Sequence, residues 1–260
     1  MPEILGGKVA VVTGGTRGIG RAIAEALHSQ GASVALCGRS EESGRLALEE
    51  MGSDRLFFKS ADARVQNEVE SFVDDSVAAL GPVDILVNNA GGSGGFALAG
   101  ELSDHAWQEA GDWILNSTLW ATRRVLPSMR ERGWGRIIAV SSVESKFLKT
   151  PTASHYATFK AAVNAFTRAV AVEYGKFGIT SNSICPGAIE TDLMRTAGLE
   201  SAEASGLTYE QFIDHYSSQT LTGRINTVEE VAAVALLLVS PAGAGITGTA
   251  INVDGGTSPF

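Results

Sequence analysis

Two residues in the stretch SHYATFK, Tyr156 and Lys160, pair a phenol that can give up a proton with an ammonium that can hold charge. They stand four apart, and on a helix residues i and i+4 share one face, so both groups can act on one site. The same pattern also fits an exposed amphipathic helix, and its chemistry depends on the residues around it. A second pattern lies near the start, in TGGTRGIGRAIAEAL. Gly14, Gly18 and Gly20 fall between an apolar strand pattern and a helical one, where glycines permit a tight turn and let backbone N–H groups approach a pyrophosphate at a helix N-terminus. The next strand ends in Gly38 and Arg39, with no acid to hold a ribose 2′-hydroxyl. Arg17 adds a second guanidinium at this end. Guanidinium groups suit phosphate, so the pattern favours NADP over NAD.

Both patterns need a scaffold. Short β-branched runs are expected as strands at 8–14, 33–38, 55–60, 84–90, 135–142, 179–187 and 248–256, with helices near 18–30, 41–51, 65–80, 103–132, 153–177 and 227–240. This alternation predicts an α/β fold of the Rossmann type: a doubly wound, seven-stranded parallel sheet flanked by helices. The runs VAVV, ILV and IIAV are continuously apolar, as strands covered on both faces should be. No repeat or linker interrupts residues 1–260, so a single domain is expected. From Glu190 to Arg224 the strand signal disappears while apolar residues persist, which predicts a substrate lid with short helices at about 190–222.

Composition narrows the partners. Net charge is −9 with no basic block, which argues against nucleic acid or an anionic membrane surface. Cys37 and Cys185 are far apart and form no CxxC pair, so structural thiols in a reducing compartment are expected, and no metal. The start MPEILGGKVAVV lacks a signal-peptide layout, and the longest apolar run, VAAVALLLV, is too short to span a bilayer. A soluble cytoplasmic protein is the expectation.

Taken in order, the glycine turn, Asp62, Asn88-Asn89-Ala90-Gly91, Ser142, Tyr156-x-x-x-Lys160, Pro186-Gly187 with Thr191, and Val253-Asp254-Gly255-Gly256 resemble the short-chain dehydrogenase/reductase family along essentially the whole chain. The resemblance implies an NADP(H)-dependent enzyme interconverting a ketone and a secondary alcohol, of the 3-oxoacyl reductase type or acting on a small to medium ketone. Tyr156 would be its general acid. Lys160 would lower a phenol pKa that is ordinarily near 10. Ser142, rather than Ser141, would hydrogen-bond the substrate oxygen. Cofactor contacts are implied at Gly14, Thr16, Arg17, Gly18, Ile19, Gly20, Arg39, Asp62, Ala63, Asn89, Ala90, Gly91, Tyr156, Lys160, Pro186, Gly187, Ile189 and Thr191. Members assemble as homotetramers through the long helices. A non-catalytic NADP-binding protein on the same fold, or an alcohol-oxidising dehydrogenase, is the alternative.

One family position departs. The asparagine that usually precedes the fifth strand falls on Ile114, and the nearest asparagine, Asn116, lies about 200° further round an ideal helix. Asn116 is not expected to fill that role. Phe96, Phe147, Leu193 and Met194 are expected to make the substrate pocket mainly apolar. Arg123, Arg124, Arg130, Arg132 and Arg136 form the one cluster that could dock an acidic carrier protein.

Overall fold

The computed structural model describes residues 3–52, 55–191, 194–196, 198, 199, 202 and 206–258. The strands are β1 (Val9–Val12), β2 (Ser33–Gly38), β3 (Leu56–Ser60), β4 (Ile85–Asn88), β5 (Gly135–Val140), β6 (Ile179–Pro186) and β7 (Ala250–Val253). They form one parallel sheet in the order β3-β2-β1-β4-β5-β6-β7. Sequence order reverses between β1 and β4, and a crevice opens there at the carboxyl ends of the strands. Every residue of β1, β4 and β5 is buried, as their unbroken apolar runs predict, and β6 is buried throughout although its centre, Thr180 to Ser183, is polar.

The helices are α1 (Gly18–Ser29), α2 (Glu41–Met51), α3 (Gln66–Leu80), α4 (Asp104–Gly111), α5 (Ser117–Arg132), α6 (Ser154–Tyr174), α7 (Tyr209–Ser217) and α8 (Val228–Val239). Ile23, Ala24 and Leu27 of α1 pack with Val231, Ala235 and Leu238 of α8 on one face of the sheet. Phe72 and Val73 of α3 pack with Val125 and Met129 of α5 on the other. Capping explains several sharp starts. Thr227 accepts from Glu230 N–H while the Glu230 side chain returns to the Thr227 N–H, a reciprocal pair that opens α8.

The helix expected over 103–132 is not continuous. A π-helical turn, Asp112–Asn116, separates α4 from α5, and Ser117 N–H reaches back five residues to the Asp112 carbonyl. Ser117 and Thr118 hydroxyls donate to the carbonyls of Trp113 and Ile114, at 2.6 and 2.8 Å. Those mid-helix hydroxyls stabilise the widened turn by supplying donors that regular helix geometry would not need. In the expected lid region, α7 is opened by a Thr208–Gln211 capping box, and Phe212 stacks on Tyr209 and meets Tyr216 edge-on. Leu193 lies outside the described residues.

Candidate active site

β1 delivers its last residues into the glycine turn, and β4 locks that turn from beside it. The Thr13 hydroxyl accepts from the N–H groups of Asn89 and Ala90, both at 3.1 Å. In return, Asn89 Nδ2 donates to the carbonyls of Thr13 and Gly14, at 3.1 and 2.9 Å. Gly14 and Gly18 take positive φ values of 62° and 55°, which L side chains rarely adopt. A Cβ on Gly20 would fall 2.3 Å from both Asn89 Nδ2 and the Gly14 carbonyl. The glycines and Asn89 thus define one conformation. It leaves the N-terminus of α1 without a side-chain cap and without an acid in its first turn. Free N–H groups and the positive end of the helix dipole favour an anion there.

A cleft of about 500 Å³ runs from this turn along the sheet edge. At one end it is lined by Thr16, Arg17, Arg39, Ser40, Ser43, Asp62 and Ala63, and at the other by Gly91, Ser142, Tyr156 and Lys160, with Pro186, Gly187, Ile189 and Thr191 along one wall. Each residue implied by the family resemblance therefore faces one continuous space. Gly187 is confined, since a Cβ there would lie 2.9 Å from Asp254 Cα, and its N–H bonds the Val253 carbonyl. The Thr191 hydroxyl accepts from Met194 N–H, while its methyl would sit 3.4 Å from a Cβ on Gly18. The glycine cradle, the uncapped α1 terminus and the bare arginines fit a dinucleotide.

Asp62 is held more firmly than its sequence suggests. Its carboxylate accepts from the Arg64 backbone N–H and from Arg64 Nε and Nη2, and Arg64 also pairs with Glu109 of α4. The Arg64 hydrogen bonds hold the Asp62 carboxyl below the usual carboxylate range. The N-cap of α3 is Val65, so Asp62 does not cap that helix. Sequence reasoning missed Arg64, because a guanidinium that neutralises a carboxylate two residues away has no motif of its own.

At the reacting end, β5 and α6 converge. Ser141 is occupied: its N–H donates to the Ile184 carbonyl and its hydroxyl to the Lys160 carbonyl, at 2.7 and 2.9 Å. The neighbouring Ser142 hydroxyl accepts from Glu144 N–H at 3.2 Å and lines the same cleft as Tyr156. Burial pushes the Tyr156 phenol above its ordinary value. The Ser142 hydroxyl beside it opposes that rise, and the Glu144 charge adds to it. The expected lowering by Lys160 is not the outcome here: desolvation sets the direction of the shift. Lys160 is itself lowered to about 8 by burial. Its ammonium donates to the Val140 carbonyl at 2.7 Å and lies 5.6 Å from the centre of the Tyr156 ring. Gly91 roofs it, and a Cβ there would stand 3.3 Å from Lys160 Nζ and 3.7 Å from Ile114.

The π turn decides what flanks that lysine. Ile114 is 1% exposed and belongs to a small cluster with Ala110, Ala139 and Val163, against which Tyr156 and Phe159 pack. Asn116 donates to Asp112 Oδ1 at 2.7 Å, within its own turn. An apolar side chain therefore stands beside Lys160. Further out, Phe96 and Phe147 are exposed and Met194 is half-buried, and none of the three lines the cleft. Three of the five clustered arginines are ion-paired within the chain. Arg123 pairs with Glu70, Arg124 with Asp74 and Arg132 with Asp84, while Arg136 is buried over Trp134 and Arg130 lies on Phe177. Cys37 and Cys185 are free and buried, and burial pushes the Cys37 thiol up to about 12. Among the described residues no helix is long and apolar enough to cross a membrane.

A doubly wound parallel sheet whose switch-point crevice joins a glycine turn to a serine, a tyrosine and a lysine defines a nicotinamide-dependent oxidoreductase. The chain belongs to the short chain dehydrogenase family, whose model matches residues 8–203. A Streptomyces coelicolor protein assigned by name as a ketoacyl reductase is 36% identical over 257 residues, covering 97% of this chain and 98% of that protein. A D-beta-hydroxybutyrate dehydrogenase of Rhizobium meliloti is 34% identical, covering 96% of this chain and 98% of its own. A crystal structure of a variant actinorhodin polyketide ketoreductase with NADPH superposes with a TM-score of 0.91 at 34% identity, covering 97% of this chain and 98% of the other.

Proposed function

We propose that this protein reduces a ketone to a secondary alcohol with NADPH, taking a 3-oxoacyl compound or a small to medium ketone. The observation that carries the reading is the convergence of Ser142, Tyr156 and Lys160 on the same cleft as the glycine turn. Bound NADPH would supply the hydride. Ser142, whose oxygen accepts from Glu144 N–H, keeps its hydroxyl proton to donate to a substrate carbonyl. Tyr156 delivers a proton to the developing alkoxide. Its raised pKa keeps the phenol protonated near neutrality, which suits a donor for reduction. Lys160 near 8 can carry charge at physiological pH and favours the transient phenolate.

NADP over NAD is supported by Arg17 and Arg39, both exposed on the cleft wall and neither ion-paired to a carboxylate among the described residues. The actinorhodin relative's NADPH points the same way. Internal pairing of the arginine cluster argues against that face as a dock for an acidic carrier. The reading further includes a single domain with residues 190–222 as substrate lid, a homotetramer built on α5 and α6, and a cytoplasmic location, the last supported by two buried free thiols.

Thermal shift with NADPH against NADH, followed by a ketone panel with NADPH, tests this. Stronger stabilisation by NADPH and turnover of at least one 3-oxo ester or ketone are expected. Equal stabilisation would remove the arginine argument, and binding without any turnover would favour a non-catalytic nucleotide-binding protein.

A further inference from the structure

Trp113 is the one large aromatic side chain that lines the cleft away from the reacting residues, and nothing described so far gives it a task. The π turn puts it there. Trp113 and Ile114 are consecutive, yet the first faces the nucleotide end of the cleft and the second packs beside Tyr156. The indole is half-buried against the cluster that includes Ala61 and Ala63, the residues leading out of β3. Gly92 is shaped to it, since a Cβ there would fall 2.5 Å from the ring. Two guanidinium groups lie over the ring, Arg39 at 5.4 Å and Arg64 at 5.5 Å from its centre. Only one is available to a ligand. Arg64 is bound to Asp62 and Glu109, whereas Arg39 pairs with no carboxylate among the described residues.

An exposed arginine has many rotamers, and a phosphate that recruits it must first order it. An indole face under the guanidinium removes part of that freedom while leaving the N–H edges free for the phosphate. We infer that Trp113 is a specificity-determining residue that holds Arg39 at the adenosine end of the cleft, so that a 2′-phosphomonoester on the nucleotide is selected over a free 2′-hydroxyl. This inference rests on the NADP reading above.

The test uses half-cofactors, so turnover is not the readout. Calorimetry measures binding of adenosine 2′,5′-bisphosphate and of 5′-AMP to the wild type, Trp113→Phe and Trp113→Leu, each checked for fold by circular dichroism. The expected loss in Trp113→Leu is about tenfold for the bisphosphate and under about threefold for 5′-AMP, with Trp113→Phe in between because a phenyl face retains part of the cation–π contact. Bisphosphate binding should also change the tryptophan emission of the wild type and leave that of Trp113→Phe unaltered. Equal losses for the two nucleotides, or no loss for either, would overturn the role of Trp113 while leaving the NADP reading intact. A wild type that binds the two equally would overturn that reading and this inference together. If Trp113→Leu does not fold, Trp113→Phe with its emission readout decides.

Discussion

The two ends of the cleft solve opposite problems. At the reacting end the polar groups are enclosed and most are bound within the protein: Lys160 to the Val140 carbonyl, Ser141 to the Lys160 carbonyl, Ser142 to the Glu144 N–H. At the nucleotide end Arg17 and Arg39 stand exposed, with no salt bridge among the described residues. Burial supplies the first end with shifted proton affinities, at the cost of desolvating a lysine. Exposure leaves the second end with two guanidinium charges that no salt bridge among the described residues holds, ready for a ligand phosphate. Proton transfer needs fixed geometry and low dielectric, whereas discrimination between two cofactors needs a charge not already satisfied.

Substitutions can pull these ends apart. Tyr156→Phe should lower kcat about a thousandfold while NADPH still raises Tm as in the wild type, because the phenol is the proton source. Loss of the NADPH shift would mean that the ends are not separable.

Lys160 gives a pH test. Its folded pKa of about 8 lies below the ordinary 10.5, so between those values the unfolded chain binds more protons and stability rises with pH. Below about 8 the buried charge is a constant penalty, roughly 3 kcal/mol from the drop in pKa. Lys160→Met, assayed without cofactor by denaturant unfolding, should therefore exceed the wild type in stability at pH 7, with the gap narrowing between pH 8 and 10.5. A pH-independent gap would show that the lysine is not held in a desolvated site.

The adjacent serines should separate cleanly. Ser142→Ala is expected to lose about a hundredfold in kcat/KM with little change in Tm, and Ser141→Ala about 1 kcal/mol of stability with kcat largely kept. At the other end, Arg39→Ala should weaken NADPH about tenfold and leave NADH within twofold, read by fluorescence titration. Equal losses for both cofactors would assign Arg39 to packing.

Much of this was legible in the residues. Continuous apolar runs mark β1, β4 and β5, because strands covered on both faces need no alternation. Gly14 and Gly18 mark the turn, because left-handed φ favours glycine. Tyr156 and Lys160 share a helix face by their spacing, and only the glycine turn and Ser142 around them turn that spacing into a catalytic pair. The π turn was hidden, since apolar spacing over 103–132 barely changes when one turn widens, and only the Ser117-Thr118 pair hints at it. Trp113 and Arg64 were missed for the same reason: their positions follow from that turn and from a short-range ion pair, neither of which has a periodic signature. The pocket residues Phe96 and Phe147 were misplaced because an apolar side chain after a strand is as readily exposed on a loop as turned inward.

The internal pairing along α3 and α5 has a kinetic consequence. With Arg123, Arg124 and Arg132 each matched to a carboxylate, that flank presents little net field to an approaching molecule. The protein carries −9 overall and repels a polyanion over most of its surface, leaving the two unmatched arginines at the cleft mouth as a local attractive spot. Encounter with a phosphorylated dinucleotide is then a contest between global repulsion and local capture. Since screening weakens the longer-ranged repulsion first, the association rate should rise as ionic strength climbs from very low values, and fall only once the capture site itself is screened.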